Sequence, residues 1–551
     1  MRGGSPGLTY RARVPSSTET VDGPGAGPGP WPDVAVPALR PRWGRVVDGA
    51  AVAGVALAGV VLRVVQRSPL WLDEALSANI AELPLGDIAG ALRRDGHPPL
   101  YYVLLHGWQE VVGDTATAAR LLSGAIGLAL VPLAWVAAGR IGGRRAAWAA
   151  VLLVALNPFV LRYATEARMY ELVMVLALAG WLVADRALHR PTAGRLAALT
   201  ALTGALLWTH YWGIWLTAAA GVGLLARAGL AQRRGEAGRR TASLRVAAAL
   251  VVGAATFLPW LPNLLYQSAH TGTPWALPSV PTETVASSLL DLAGGNAGES
   301  VLLAMALVVL VLLGLFGRPA AGSRIELDLR TRPEARRLAL LVAGTLAVAT
   351  VASYAAQAAY ASRYFAVVAP LVLVLAGVGA ARISGPVAFR VVLAGVLLLG
   401  AVAGVRAAVS DPRTQAGEIA RAIEAEGPAA APDGPLVLVC PDQLGPALGR
   451  ELPPGTDIAT YPEFARPELV DWVDYTDRVA AADPLAFAEE ALRRAGPRDV
   501  WLVWSGQYRT HVGTCEDLAV GLQRGRPAGV PVVVPDPDAY EAANAHRYPG
   551  G

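Results

Sequence analysis

Apolar positions along this chain gather into runs too long for a soluble core. Runs of roughly 17–25 residues are what crosses a hydrocarbon layer about 30 Å thick. Candidate spans lie at 47–65, 117–138, 146–162, 170–186, 195–209, 211–229, 246–263, 300–317, 338–356, 364–381 and 391–408, about eleven in all. One more apolar segment, "PPLYYVLLHGWQEVVG" (Pro98–Gly113), is too short to cross and is amphipathic. Its Tyr and Trp residues suit a helix lying in the membrane interface.

Charge supports this reading. With the N-terminus inside, alternate loops should be rich in Arg. They are: "RPRWGR" before the first span, then the loops 139–146, 185–195, 226–245, 317–337 and 381–390. The opposite loops hold few, and the long one at 266–300 holds none. Counting Pro98–Gly113 as a span would invert everything after it and break the pattern. The predicted topology puts four polar clusters on the extracytoplasmic side: 66–97, 162–171, 208–212 and 360–365. It delivers the tail beyond the last span to that side too.

Composition agrees. The 551 residues are 54% hydrophobic and only 16% charged, where a soluble domain carries about a quarter. The net charge of +4 is small for this length and reads as loop asymmetry, not as a nucleic-acid patch. The chain has no Lys, so any phosphate is bound by Arg forks. Residues 1–46 are rich in Pro, Gly and Ser and are predicted to be disordered on the cytoplasmic side. They lack a signal-peptide pattern, because the first apolar run starts near Val47 and is long enough to remain as a helix. A transmembrane domain then covers 47–408. From 409 to 551 the composition is that of a soluble domain. "GPLVLVC", "DVWLVWS" and "GVPVVVPD" read as strands, "DPLAFAEEALRRAG" and "CEDLAVGLQRG" as helices. Their alternation predicts a small α/β domain. Both cysteines, Cys440 and Cys515, lie in it. Outside the membrane they can form a disulfide; the other reading is two buried thiols.

The candidate chemistry sits at span ends. "SPLWLDEALSANIAE" (Ser68–Glu82) puts Asp73 and Glu74 directly after the first span. A carboxylate at that depth can act as a proton acceptor, although solvated loop charges would look the same. The following "ALSANIAELPLGDIAGAL" reads as an amphipathic surface helix. In "RRDGHPPLYY", Asp95, His97 and Tyr102 could face a substrate; a turn capped by Asp95 accounts for them equally well. Asp95 and His97 could also touch a divalent metal, but two ligands do not make a metal site. "YATEARMYE" carries Glu166, Arg168, Tyr170 and Glu171. The helix dipole favours Glu166 there and disfavours Arg168, which is better explained by an anion such as a phosphate, or by Glu166 itself. Arg363 and Tyr364 open another span at its outer end; Arg363 is either a snorkelling anchor or a second phosphate contact. His210 in "WTHYW" reads as an interfacial polar residue before it reads as a ligand.

The ordered series "WLDEALSA", "DGHPPLYYVLLHGW", "RLLSGAIGLALVPLAW", "GRIGGRRAAWAAVLLVALNPFVLRYATEARMYEL" and "SRYFAVVAP" resembles the GT-C membrane glycosyltransferases. Within them it is similar to the branch holding the protein O-mannosyltransferases, the lipid A aminoarabinose transferase and the RgtA-like enzymes. The resemblance covers roughly 47–400. It implies a polyprenyl-phosphate sugar donor and an extracytoplasmic acceptor that is a glycan, lipid or protein. It also implies an all-α polytopic fold with interfacial helices in a bacterial plasma membrane. Family acidic positions match Asp73, with Glu74 beside it, and Glu166. His97 departs from the Lys or Glu that some members place before the two prolines. On this reading Asp73 is the general base, Glu166 orients a substrate or holds Arg168, and Arg168 and Arg363 stabilise the leaving phosphate. Glu74, Asp95, His97, Tyr102, Tyr170, His210 and Tyr364 would line the substrate site. One carboxylate in a single displacement gives inversion. A lipid flippase is the competing reading. It forms no glycosidic bond, and neither matching halves nor polar groups spread across the membrane support it.

Overall fold

The apolar runs become a helical bundle, and the polar tail becomes a small sheet domain. The computed structural model describes residues 42–66, 68–272, 280–319, 324–355, 360–410 and 412–550. Most of the segment expected to be disordered, 1–41, and part of the long outer loop, 273–279, lie outside the described residues.

Seven helices among the described residues are long and apolar enough to cross a membrane, fewer than the eleven expected. The first of them, Ala116–Leu156, holds two of the expected spans. Gly143 breaks its helical backbone with φ 75° and ψ −172°, a conformation that suits glycine. Trp135 and Trp148 would stand about 20 Å apart along a straight helix at 1.5 Å per residue. Their rings meet at 4.7 Å. The chain therefore doubles back at the Arg-rich loop. The other unmatched spans correspond to the apolar stretch Val52–Leu62 of the helix Arg42–Leu62, and to the shorter helices Ala193–Thr209 and Ala369–Ala380. The last has 12 residues, every one buried. A Cβ on Gly379 would fall 1.7 Å from the Leu310 carbonyl, and one on Gly314 would fall 2.7 Å from that of Leu375. Small residues let these helices touch backbone to backbone, as membrane helices do. Leu100–Val112 has 13 residues, too few to cross a hydrocarbon layer about 30 Å thick.

The tail forms a five-stranded sheet. In order, its strands are Asp457–Thr460, Leu436–Cys440, Val500–Trp504, Asn544–Tyr548 and Val530–Val533. The first three are parallel and the last two antiparallel to their neighbours. Leu436–Cys440 is buried throughout, as a strand covered on both faces must be. Pro484–Ala495 starts where Asp483 accepts hydrogen bonds from the Leu485 and Ala486 amides, a capping geometry that satisfies orphan donors. Cys440 and Cys515 form a disulfide that ties the strand Leu436–Cys440 to the helix Thr514–Gln523.

The expected surface helix after Asp73 needs correction. It is two helices, Leu72–Glu82 and Leu85–Asp95, separated at Leu83–Pro84 because proline cannot continue a helix. The first is not a surface element. Nine of its eleven residues are buried. Trp71, Leu72 and Leu76 pack against Val470, Tyr475 and Val479 of the tail domain. Arg450 reaches across to Asn79 and Glu82 at 2.6 and 2.7 Å.

Candidate active site

Three separate pieces of chain meet at Asp73. The helix Leu72–Glu82 presents it in its first turn. The non-helical turn between Pro158–Ala164 and Tyr170–His189 brings Arg168, and the 3-10 segment Ser362–Val367 brings Arg363. Asp73 Oδ2 lies 3.1 Å from Arg363 Nη1 and 3.6 Å from Arg168 Nη2. The two guanidinium groups stand differently. Arg168 is 2% exposed. Its Nη1 donates to the Asp73 carbonyl at 3.3 Å, to Ser77 Oγ at 3.1 Å and to Tyr102 Oη at 3.5 Å. The Arg363 side chain is 20% exposed.

Behind Arg168 stands a fixed polar chain. Arg168 Nη2 lies 3.1 Å from His97 Nε2, and His97 Nδ1 lies 2.8 Å from Asp95. A guanidinium only donates, so Nε2 accepts and the ring carries its proton on Nδ1, which it donates to Asp95. Tyr102 donates to the same Asp95 oxygen at 3.2 Å. Burial alone would raise the Asp95 carboxyl; His97, Arg168 and Tyr102 outweigh it and hold the group below its ordinary value. Both nitrogens of His97 are thus engaged, one of them against a cation. Among the described residues, the group with metal-ligand spacing is Cys440, His511 and Cys515, and its sulfurs are joined in the disulfide.

Glu74 turns away from this chamber. It is fully buried. It accepts from Arg120 at 2.7 and 2.6 Å and from the Ala167 amide at 2.9 Å, and pairs with Arg413 at 3.2 Å. Burial opposes its charge, but Arg120 and Arg413 prevail and hold the carboxyl low. Glu74 is therefore a clasp between the first outer helix, the 162–171 turn and the linker to the tail domain, with no face left for substrate. Glu166, 1% exposed, lies 3.8 Å from Arg162. Burial raises its carboxyl, and Arg162 and Arg413 offset only part of that. It does not pair with Arg168.

Aromatic rings complete the wall. Tyr170 packs on Tyr163 at 4.7 Å and on His210 at 5.8 Å. His210 stands between Tyr364 at 5.3 Å and His97 at 6.4 Å, and its Nδ1 accepts from the Trp212 amide. The structure thus brings Asp73, Asp95, His97, Tyr102, Arg168, Tyr170, His210, Arg363 and Tyr364 into one connected wall, and leaves Glu74 and Glu166 behind it. Two residues beyond His97 begins an apolar groove of about 570 Å³ between Leu100–Val112 and Ala193–Thr209, lined by Pro99, Leu100, Val103, Ala201, Gly204 and Trp208 among others.

Sequence reasoning missed Arg120 and Arg413. Arg120 had a usable signal, since a cation inside an apolar span demands a partner. Arg413 had none; "SDPRTQ" reads as a solvated loop.

No protein-family profile and no curated sequence matches this chain. Solved structures do. ArnT from Cupriavidus metallidurans in the apo state superposes with a TM-score of 0.59 at 15% identity, covering 92% of this chain and 98% of that one. The same protein bound to undecaprenyl phosphate gives 0.56 at 16%, with the same coverage. The fold is that of the GT-C glycosyltransferases. The mycobacterial arabinofuranosyltransferase AftD is more distant, with a TM-score of 0.46 at 16% identity over 91% of this chain and 40% of that one. The GT-C likeness spans the bundle and the tail domain together, beyond the 47–400 over which sequence motifs resemble the family.

Proposed function

We propose that this multi-pass membrane protein is a glycosyltransferase that moves a sugar from a polyprenyl-phosphate donor to an extracytoplasmic hydroxyl. The observation that carries the reading is the Asp73 carboxylate held between Arg168 and Arg363, 3.6 and 3.1 Å away. In this orientation the N-terminus is cytoplasmic and the tail domain lies outside. The ArnT structure with undecaprenyl phosphate supports a lipid-phosphate ligand for this fold.

The geometry divides the labour. The acceptor hydroxyl has a high pKa and needs a base as it attacks the anomeric carbon. Asp73 takes that proton. The new bond forms between acceptor oxygen and anomeric carbon, and the bond from that carbon to the phosphate oxygen breaks on the opposite face, giving inversion. Polyprenyl phosphate departs with the electron pair. It needs charge stabilisation rather than a proton, and Arg363, the accessible guanidinium, supplies it. Donor phosphate competes with Asp73 for Arg363 and leaves the carboxylate to accept its proton. Arg168, buried and shared with Ser77, Tyr102 and His97, acts as the fixed orienter of Asp73. The apolar groove receives the isoprenoid tail.

The test incubates purified protein with undecaprenyl-phosphate pentoses and hexoses and with candidate acceptors. Transfer or hydrolysis of one donor is expected. Lipid movement across vesicles without any glycosidic bond made or broken would point to the flippase instead.

A further inference from the structure

The helix that carries Asp73 lacks a cap of its own. Its N-cap residue, Trp71, makes no side-chain hydrogen bond to the first turn, so early amides of the helix need partners from elsewhere. The Leu72 amide finds one 469 positions away: it donates to Glu541 Oε1 at 2.9 Å. Glu541 is 5% exposed and belongs to the loop before the last strand of the tail domain.

That loop is itself fastened to the site. The Glu541 amide donates to the Arg413 carbonyl at 3.0 Å, the Tyr540 amide to that of Pro412 at 3.1 Å, and the Gln415 amide to that of Glu541 at 3.3 Å. Gln415 Oε1 accepts from the Asp536 and Ala543 amides and pins both ends of the loop. Arg413, in the same pairing, pairs with Glu74 and donates to the Thr165 carbonyl at 2.7 Å. On the outer side the Tyr540 ring meets Trp71 edge-on at 5.0 Å. The amide that Glu541 holds immediately precedes Asp73.

We propose that Glu541 is a positioning residue for Asp73, and that the tail domain thereby completes the catalytic centre built by the membrane helices. This rests on the reading of Asp73 as the base. Glu541 fixes the first turn of the helix, and so the direction from which the Asp73 carboxylate meets Arg168, Arg363 and substrate. Misplacement of a reacting group by about 1 Å can cost on the order of 100-fold in rate. Burial, with Asp73 and Glu74 adding to it, pushes the Glu541 carboxyl up to about 8 against the Leu72 and Thr414 hydrogen bonds. The group is then mostly neutral at pH 7, and glutamine offers the same acceptor in nearly the same shape.

The experiment compares full-length wild type, E541A and E541Q by hydrogen exchange of the peptide spanning 68–77 and by turnover of the undecaprenyl-phosphate sugar that the wild type uses. For E541A, exchange at the Leu72 amide rises at least tenfold. Its kcat falls by about 10- to 100-fold, while donor KM stays within about threefold. E541Q rescues exchange and kcat to within about threefold of wild type. Wild-type exchange and kcat in E541A, or an E541Q as impaired as E541A, would overturn the proposal. Should E541A not accumulate, the Leu72 amide in E541Q decides: protection as in wild type upholds it, tenfold faster exchange overturns it. If the wild type transfers no sugar, the functional reading fails, and the exchange data still judge the contact.

Discussion

Asp73 is gripped from two sides, and the grips respond differently to a ligand. Arg363 is the partner that a phosphate can reach, so R363A should act on the donor. A lost charge-assisted contact of roughly 1.5–3 kcal/mol corresponds to about a 10- to 100-fold rise in donor KM. Arg168 is buried and hydrogen-bonded to the backbone of the residue it orients, so R168A should lower kcat with a smaller change in donor KM. Steady-state kinetics of the two variants separate the roles; equal KM effects would contradict the assignment. Residue identity was legible in the sequence where chemistry was anomalous for its place. Arg168 at a helix start and Arg363 at an outer span end both stood out. Glu74 was legible as a site carboxylate but not as a clasp, because its partners Arg120 and Arg413 lie 46 and 339 positions away.

At the scale of elements, the groove between Leu100–Val112 and Ala193–Thr209 faces the problem of a long isoprenoid tail. Ala201 lines it and is exposed. A201W fills the groove, so KM should rise about tenfold or more for an undecaprenyl donor, in line with lost apolar burial at about 25 cal/mol per Å². A ten-carbon donor analogue should be affected far less. Equal effects on both chain lengths would place the tail elsewhere. The span pattern was readable because every apolar run demands burial in lipid or protein. Its length was a poorer guide. Ala369–Ala380 is short because neighbouring helices bury it completely, and Gly143 hides a reversal inside what counts as one helix. The break at Leu83–Pro84 was signalled by the proline. The burial of Leu72–Glu82 was not, since its cover comes from Val470, Tyr475 and Val479.

At the scale of the whole molecule, the tail domain is both a separate core and part of the site. Its central strands were visible as apolar runs. Asn544–Tyr548 was not, because "NAHRY" carries no alternation. The same domain holds a buried chain in which Tyr475 links Asp442 and His511. Burial pushes the Asp442 carboxyl up to about 7 and pulls His511 down to about 4. An acid raised in the folded state stabilises fully below its unfolded value of about 4 and loses that contribution as pH rises through about 7. His511 works in the opposite sense, losing stability as pH falls from about 6.5, but it is common to wild type and D442N. The melting temperature of D442N minus that of wild type should therefore grow between pH 5 and pH 7.5. A flat or falling difference would contradict the burial assigned to Asp442.

The account turns on Asp73 as the group that takes the acceptor proton, and D73N tests it most directly. Wild type and D73N are compared for undecaprenyl-phosphate binding and for sugar transfer from the same donor. Binding within about threefold of wild type with transfer reduced by at least 100-fold, the scale of a lost general base, is the predicted result. Transfer by folded D73N at near wild-type rate would contradict it.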